Sequence, residues 1–162
     1  MLEKKVSEFV WMSEVTKSNT AQAKGIDNTP NQDQLFNIKK LAAHVFDPLR
    51  IWVGDKVKIS SGFRSESLNN AIRGSKTSQH CANNGAAFDI DDTYKTATNA
   101  EMFNYINNFL SFDQLIWEYG DDKNPDWVHV SYVSEAKNRM QVLRAKKNSK
   151  NQTYYVKYDP KT

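Results

Sequence analysis

Three side chains of the sequence have the types and separations expected of a catalytic metal site: His80, Asp89 and His129. Zinc binds imidazole nitrogen and carboxylate oxygen, and a catalytic zinc ion keeps three protein ligands so that water can occupy the fourth position. Small residues around Gly85 separate His80 from Asp89 and leave room for the backbone to turn both side chains towards one ion. The spacing alone does not establish a site, because histidine and aspartate occur together by chance in many loops.

The segment PDWVHVSY alternates in a way that predicts a strand with Trp127, His129 and Ser131 on one face. His44 lies beside an apolar helical stripe, which favours a structural or surface role. Cys81 has no paired base, which favours a small buried residue over a nucleophile or a metal ligand. As the single cysteine, it also excludes an internal disulfide.

A capping signal predicts the first long helix. Thr29 would be the N-cap, Pro30 the first helical position and Gln32 the end of a capping box. The apolar helical spacing ends or turns at about Pro48. A strand is predicted over Val57–Ser61. Further predicted elements are a helix capped by Ser65, a helix capped by Asn99, and strands at Gln114–Tyr119, Trp127–Val133, Met140–Ala145 and Tyr154–Tyr158.

The order of these elements predicts an α+β fold with a small, mostly antiparallel sheet and flanking helices, because there is no regular βαβ rhythm. With 162 residues and 39% hydrophobic residues, the chain is expected to form a single domain, residues 1–162. From Ser134 onward, eight Lys or Arg residues against Glu135 and Asp159 give a charge of +6. This segment, about 134–162, is predicted to be basic and partly ordered, with a solvated face favoured over an anionic partner.

Four motifs in a fixed order carry a resemblance to a known family: SSGFRS, SQH followed by GAAFDID, LIWEYG, and PDWVHVSY. Together they resemble the zinc D,D-carboxypeptidase and L-alanyl-D-glutamate endopeptidase family, which includes the vancomycin-resistance dipeptidases and many phage endolysins. The similarity extends from about Ser18 to Tyr132, and the leader before the first helix looks like that of the phage and bacterial branch. The resemblance implies the hedgehog and D,D-peptidase type of α+β fold.

The resemblance also implies roles for individual residues. His80, Asp89 and His129 match the zinc ligands of the family. Asp126 stands where the family has the acid that activates water. Arg64 matches the arginine that helps to bind and polarise the substrate.

Two features depart from the family pattern. Asn83 and Asn84 lengthen the interval between the first histidine and the aspartate, and we expect a small bulge with left-handed asparagine geometry to absorb them. If the bulge displaced His80, the protein would be a non-catalytic relative. The usual base is glutamate, and Asp126 is one methylene shorter. Glu118 is the alternative base, although a hydrogen-bonding role behind the metal ligands is the preferred interpretation.

Several residues around these motifs are candidates for substrate binding besides Arg64. Ser78 belongs to the first histidine motif, and Ser131 follows His129 on the same strand face. Trp117, with Trp127 and Tyr132, would line a substrate groove, with core packing as the alternative for these aromatic residues.

These observations predict a zinc-dependent peptidase, monomeric, that hydrolyses an amide bond of the peptidoglycan stem peptide. The alternative is a non-catalytic wall-binding or virion structural module with the same fold. A nucleic-acid partner is not expected, because only the basic tail suggests one. No signal peptide or membrane-spanning run is evident, so the protein is expected to be made in the cytoplasm and to reach the cell wall through phage release or another export route.

Overall fold

A computed structural model describes residues 3–160 of the chain. Within them a single sheet is packed against helices on one face. The helices are α1 (Met12–Thr16), α2 (Asn19–Lys24), α3 (Gln32–Leu41), α4 (Asp47–Val53), α5 (Glu66–Ala71) and α6 (Asn99–Phe109). The strands are β1 (Lys58–Ser61), β2 (Ala86–Asp91), β3 (Gln114–Glu118), β4 (Trp127–Tyr132), β5 (Gln141–Lys147) and β6 (Thr153–Lys157).

The sheet has the strand order β1-β2-β4-β3-β5-β6. Neighbouring strands are antiparallel except β3 and β5, which are parallel. The predicted α+β class with a mostly antiparallel sheet is therefore confirmed. No helix among residues 3–160 combines the length and the apolar character needed to cross a membrane.

The second strand, β2, is absent from the strands that the sequence predicts, because the small residues around Gly85 indicate a turn. Phe88 and Ile90 of this strand are almost fully buried. The alternating Ala87 and Asp89 face the other side of the sheet, since successive strand residues point to opposite faces. Strand β2 lies between β1 and β4 in the sheet and carries one of the candidate ligands.

The apolar core lies between the helices and one face of the sheet. Leu115, Val128 and Val130 project from the central strands into this core, and Phe103 of α6 packs edge-on against Trp117. The opposite face carries the polar residues that alternate with them. The functional side chains are therefore held by a strand scaffold whose reverse face is fixed by packing.

The first long helix begins two residues later than predicted. Asn31, and not Thr29, is the N-cap: its side chain accepts a hydrogen bond from the Gln34 backbone N–H, and the Gln34 side chain accepts one from the Asn31 N–H. This reciprocal pair satisfies two backbone donors at the start of α3. The last of the predicted helices begins one residue earlier than predicted, because Thr98 and Glu101 form the capping box of α6 in place of a cap at Asn99.

The helical region also continues past Pro48, where the sequence predicts an end or a turn. A π-helical turn, Ala42–Phe46, joins α3 to α4, and Pro48 is the second residue of α4. A proline lacks the N–H that an α-helix interior needs, but the change of hydrogen-bond pattern at a π turn already interrupts the regular ladder. Gly54, at φ +74°, ends α4 instead.

Gly85 provides a test of the turn that leads into β2. Its φ is +71°, and a Cβ atom there would lie against the Tyr132 carbonyl oxygen, far inside van der Waals contact. Gly85→Ala is therefore expected to lower the free energy of unfolding by about 2–4 kcal/mol, since left-handed strain adds to a backbone clash. Urea denaturation measures it. Gly25→Ala is the control, because φ there is +62° but no atom lies within 4 Å of the added Cβ. A loss of about 1 kcal/mol in the free energy of unfolding is expected for it. Equal losses in the two variants would contradict the clash at Gly85.

Candidate metal centre

His80, Asp89 and His129 come together on the polar face of the sheet. One ligand atom from each lies within 4.8 Å of the other two. His80 Nε2 is 3.4 Å from Asp89 Oδ1, and His129 Nδ1 is 3.0 Å from the same oxygen. Three residues from distant parts of the sequence thus present two nitrogens and one oxygen to one point.

Different elements position the three side chains. Asp89 and His129 are register partners on β2 and β4, so their side chains lie side by side on one face. His80 belongs to a 3-10 turn, Gln79–Cys81, whose N-cap is Ser78. The carbonyl of His80 accepts a hydrogen bond from the Arg64 N–H, which ties this turn to the chain that follows β1.

A second contact fixes the ring of His80. Its Nδ1 is 2.8 Å from the carbonyl oxygen of Gly62. Because a carbonyl can only accept, Nδ1 carries the hydrogen and Nε2 presents its lone pair towards Asp89 and His129. Metal-binding histidines usually have such a partner for the second ring nitrogen.

The charge state of the ligands suits a cation. Burial lowers the pKa of His80, against the opposing charge of Asp89, so the ring is neutral at physiological pH. Burial alone would raise the pKa of Asp89, but its close contacts with His80 and His129 hold the pKa well below its ordinary value. A neutral imidazole and an ionised carboxylate are the forms that bind metal.

The donor set fits zinc. Ligands at 2.0–2.2 Å in tetrahedral geometry are separated from one another by about 3.3–3.6 Å. The separations of 3.0 and 3.4 Å around Asp89 Oδ1 are close to this value. Two nitrogens and one oxygen leave a fourth position for water, as catalytic zinc sites require.

Glu118 lies next to this group. It is on β3, two residues after Ile116, which pairs with His129, so Glu118 shares their face in the adjacent row. The side chain is 7% exposed. Burial raises the pKa of Glu118 from its ordinary 4.5 to about 7; the charge of His129 opposes this rise and that of Asp89 adds to it.

Asp126 is placed differently. It precedes β4, its side chain is exposed, and its backbone is held by hydrogen bonds with Glu118 and Asn99. It does not belong to the wall of the cavity that contains the ligands. This placement does not support the assignment of the base to Asp126 from the sequence, and it favours the alternative, Glu118. The physical reason is that Asp126 precedes the strand, whereas Glu118 is inside the sheet.

A cavity of about 640 Å³ opens over the ligands. It follows the polar face of the sheet from β2 to β6, so it is wider than the metal site alone. The residues of its wall are Arg64, Ser75, Thr77, Ser78, Gln79, His80, Asn84, Asp89, Gln114, Ile116, Glu118, Tyr119, Trp127, His129, Arg139, Leu143 and Tyr155.

Two of the predicted substrate-binding residues line this cavity. Arg64 does so with a buried Nε atom that has no hydrogen-bond partner among the described residues. Ser78 also lines it, and its hydroxyl oxygen accepts a hydrogen bond from the His80 N–H. Ser78 therefore supports a ligand as well as facing the cavity.

The structure does not support the other two predicted substrate-binding residues. Trp117 is 2% exposed and packs against Phe103 in the core, because its position on β3 is one residue away from those that face the cavity. Ser131 is fully buried, and its hydroxyl accepts a hydrogen bond from the Gln114 N–H. Neither residue lines the cavity.

The lengthened interval after His80 does not remove the histidine from the group. The left-handed geometry expected at Asn83 and Asn84 occurs instead at Ala82, with φ +57°, and at Gly85. Ala82 ends the 3-10 turn, and the Gln34 and Asn37 side chains of α3 bind carbonyl oxygens at Cys81 and Ala82. The two extra residues are exposed, while helix contacts hold the turn in place.

Sequence reasoning missed the outer wall of the cavity. Gln114, Arg139, Leu143 and Tyr155 all line it, and the last three belong to the C-terminal segment, for which the sequence predicts two strands and a basic charge but no part in the site. Arg139 is held by Asp113, with Nη2 2.7 Å from Oδ2. The alternation in the two candidate strands of this segment was the available signal, but the sequence did not show which face would turn to the site.

The buried acid Glu118 is expected to destabilise the metal-free protein above neutral pH. The pKa of Glu118 in the folded protein, about 7, exceeds its ordinary value of 4.5. The contribution of this carboxyl group to the stability of the folded protein is therefore fully present below its ordinary pKa and is lost as the pH rises through its folded pKa. At about 1.4 kcal/mol per pKa unit, Glu118→Gln should be more stable than wild type by up to about 3 kcal/mol near pH 8. Urea denaturation of both proteins in the presence of a chelator, at about pH 4 and about pH 8, measures this difference in stability. An equal difference at the two pH values would contradict the prediction.

A comparison with protein families adds an independent finding. A family model described as peptidase M15 matches residues 8–131 of the chain. A search of curated proteins finds no match. The matched range contains His80, Asp89, His129 and Glu118, and it ends within β4, before β5 and β6 begin.

Proposed function

Since the chain belongs to the peptidase M15 family, we propose that it is a zinc-dependent hydrolase of an amide bond in the peptidoglycan stem peptide. The observation that carries this proposal is one cavity that contains both the converging ligands and the buried acid Glu118. A non-catalytic module would have no need of a buried acid beside a metal site.

His80, Asp89 and His129 would hold the ion. When bound, zinc supplies a Lewis acid that polarises a carbonyl group and makes a water molecule more acidic. The contact from Gly62 to His80 and the pairing of β2 with β4 hold the ligands in position before the ion arrives. Little reorganisation is then needed on binding.

Glu118 is the residue we assign as general base. It takes a proton from the attacking water and returns it to the leaving amine, as a general acid–base does. A neighbouring cation favours the ionised form of a carboxylate, so Glu118 is an acceptor when the site is loaded. On β3, Glu118 lies in the row of side chains adjacent to that of His129, and so next to the ligands.

Arg64 supports the binding of an anionic substrate group. Its Nε is buried and has no hydrogen-bond partner among residues 3–160, and an unpaired buried donor is costly unless a ligand satisfies it. A carboxylate or a carbonyl oxygen of the stem peptide would supply the acceptor. Arg64 thus orients the substrate and offsets negative charge that develops during hydrolysis.

The assignment of peptidoglycan as the partner, with a monomeric enzyme that acts on the cell wall after phage release or export, follows from the resemblance of the four motifs to that family. The wide, polar cavity suits an extended peptide better than a small molecule. D,D-carboxypeptidase and L-alanyl-D-glutamate endopeptidase activity are the two reactions to separate.

The experiment is digestion of purified sacculi and synthetic stem peptides by the zinc-loaded protein, followed by mass spectrometry of the fragments. Release of a terminal D-alanine indicates the carboxypeptidase, and cleavage after the first L-alanine indicates the endopeptidase. Intact sacculi and intact peptides with stoichiometric zinc present would refute the proposal. Wall binding in that inactive sample would establish the non-catalytic alternative.

A further inference from the structure

The hairpin of β5 and β6 adds a wall to the cavity beyond the range that the family match covers. The match ends at residue 131, whereas Leu143 and Tyr155 of this hairpin line the cavity together with the metal ligands. Part of the substrate groove is therefore formed by a segment of this chain to which the family match assigns no role.

The register of the strands places Tyr155 in line with the general base. Glu118 of β3 pairs with Ala145 of β5, and Ala145 pairs with Tyr155 of β6. Paired residues on neighbouring strands project from the same face, so the three side chains form one row. Because alanine has no atoms beyond Cβ, no side chain in the row separates the tyrosine ring from Glu118.

The side chain of Tyr155 is only partly buried. It is 54% exposed, and within residues 3–160 no hydrogen bond or ring contact involves its side chain. Burial, together with the charges of Glu118, Tyr119 and Asp89, raises its pKa, so the hydroxyl group keeps its hydrogen and is a donor. An exposed aromatic donor without a structural partner, in the wall of a cavity, is available to a ligand.

We propose that Tyr155 is a substrate-binding residue, whose hydroxyl donates a hydrogen bond to a backbone carbonyl of the stem peptide and whose ring covers the small D-alanyl side chains. The inference rests on the proposed function, because it takes the stem peptide as the substrate. Tyrosine suits this role, since it offers a large apolar face and a polar tip at a low cost in conformational entropy.

The neighbouring residue gives a matched control. Tyr154 is on the same strand and is 43% exposed, but it is one position from Tyr155 and so projects from the opposite face of the sheet. It does not line the cavity. Substitutions at Tyr154 and Tyr155 both remove a tyrosine from this exposed hairpin. Any general effect on the stability of the hairpin is therefore common to both.

The test measures binding and turnover separately. Binding of a synthetic stem pentapeptide ending in D-Ala-D-Ala is measured by calorimetry on zinc-loaded Glu118→Gln protein, with Tyr155→Phe, Tyr155→Ala or Tyr154→Phe added. KM and kcat for the same peptide, and sacculus hydrolysis, are measured on each tyrosine variant with Glu118 present.

Tyr155→Phe is expected to weaken binding and raise KM about 3–10-fold, the effect of one neutral hydrogen bond, and Tyr155→Ala to do so further, while Tyr154→Phe stays near wild type. Unchanged affinity and KM in Tyr155→Phe would overturn the inference, as would no binding by the parent protein. A Tyr155-dependent affinity without hydrolysis of any wall would support the inference and reject the proposed peptidase. Normal hydrolysis with no effect of the Tyr155 substitutions would reject the inference and support the proposed peptidase.

Discussion

His80→Ala is expected to abolish zinc binding and, with it, hydrolysis. The substitution removes one of three ligand atoms that lie within 4.8 Å of one another. Changes to residues that only support a ligand typically cost 10–100-fold in metal affinity, so loss of a ligand itself should weaken binding by more than about 100-fold. Equilibrium dialysis with metal analysis, or competition with a chromogenic chelator, measures the affinity directly.

His44→Ala is the matched control for this substitution. His44 is exposed and stacks on Tyr132 with ring centroids 4.9 Å apart. It does not belong to the group of three ligands. Its zinc affinity and activity should equal those of wild type. Retention of stoichiometric, tight zinc by His80→Ala would contradict the assignment of His80 as a ligand.

Glu118→Gln should leave zinc bound and lower kcat by about 10²–10⁴-fold, the usual contribution of general acid–base catalysis. Glutamine keeps the size of the side chain and its place on β3 but cannot accept a proton. Because Arg64 and the ligands are untouched, KM should change little, which distinguishes this variant from one that has lost substrate binding. Steady-state kinetics on a stem peptide, with metal content determined on the same sample, measures both quantities.

Asp126→Asn decides between the two acids. Asp126 is exposed and lies outside the wall of the cavity, so this substitution should retain kcat within about 3-fold, as surface changes away from the site usually do. The reverse result, an active Glu118→Gln protein and an inactive Asp126→Asn protein, would return the role of base to Asp126. That outcome would require Asp126 to move towards the ligands on substrate binding.

The sequence by itself determined the chemistry available to the protein. Only three histidines are present, two of them lie in motifs with a matching aspartate, and the chemistry of zinc limits which residues can be ligands. The mixed order of helical and strand patterns likewise predicted the α+β class, because side-chain periodicity reflects local backbone geometry. These are properties of short segments, which a sequence displays directly.

Other features depended on which face of a strand meets which partner, and only the tertiary structure decided them. Trp117 and Glu118 are adjacent, yet one packs in the core and the other faces the cavity, since a shift of one residue exchanges the faces. The position of Glu118 inside the cavity, the position of Asp126 outside it, and the place of Tyr155 in the wall arise from strand pairing between distant segments. Pairing of this kind is set by the packing of the whole sheet, and no local pattern encodes it.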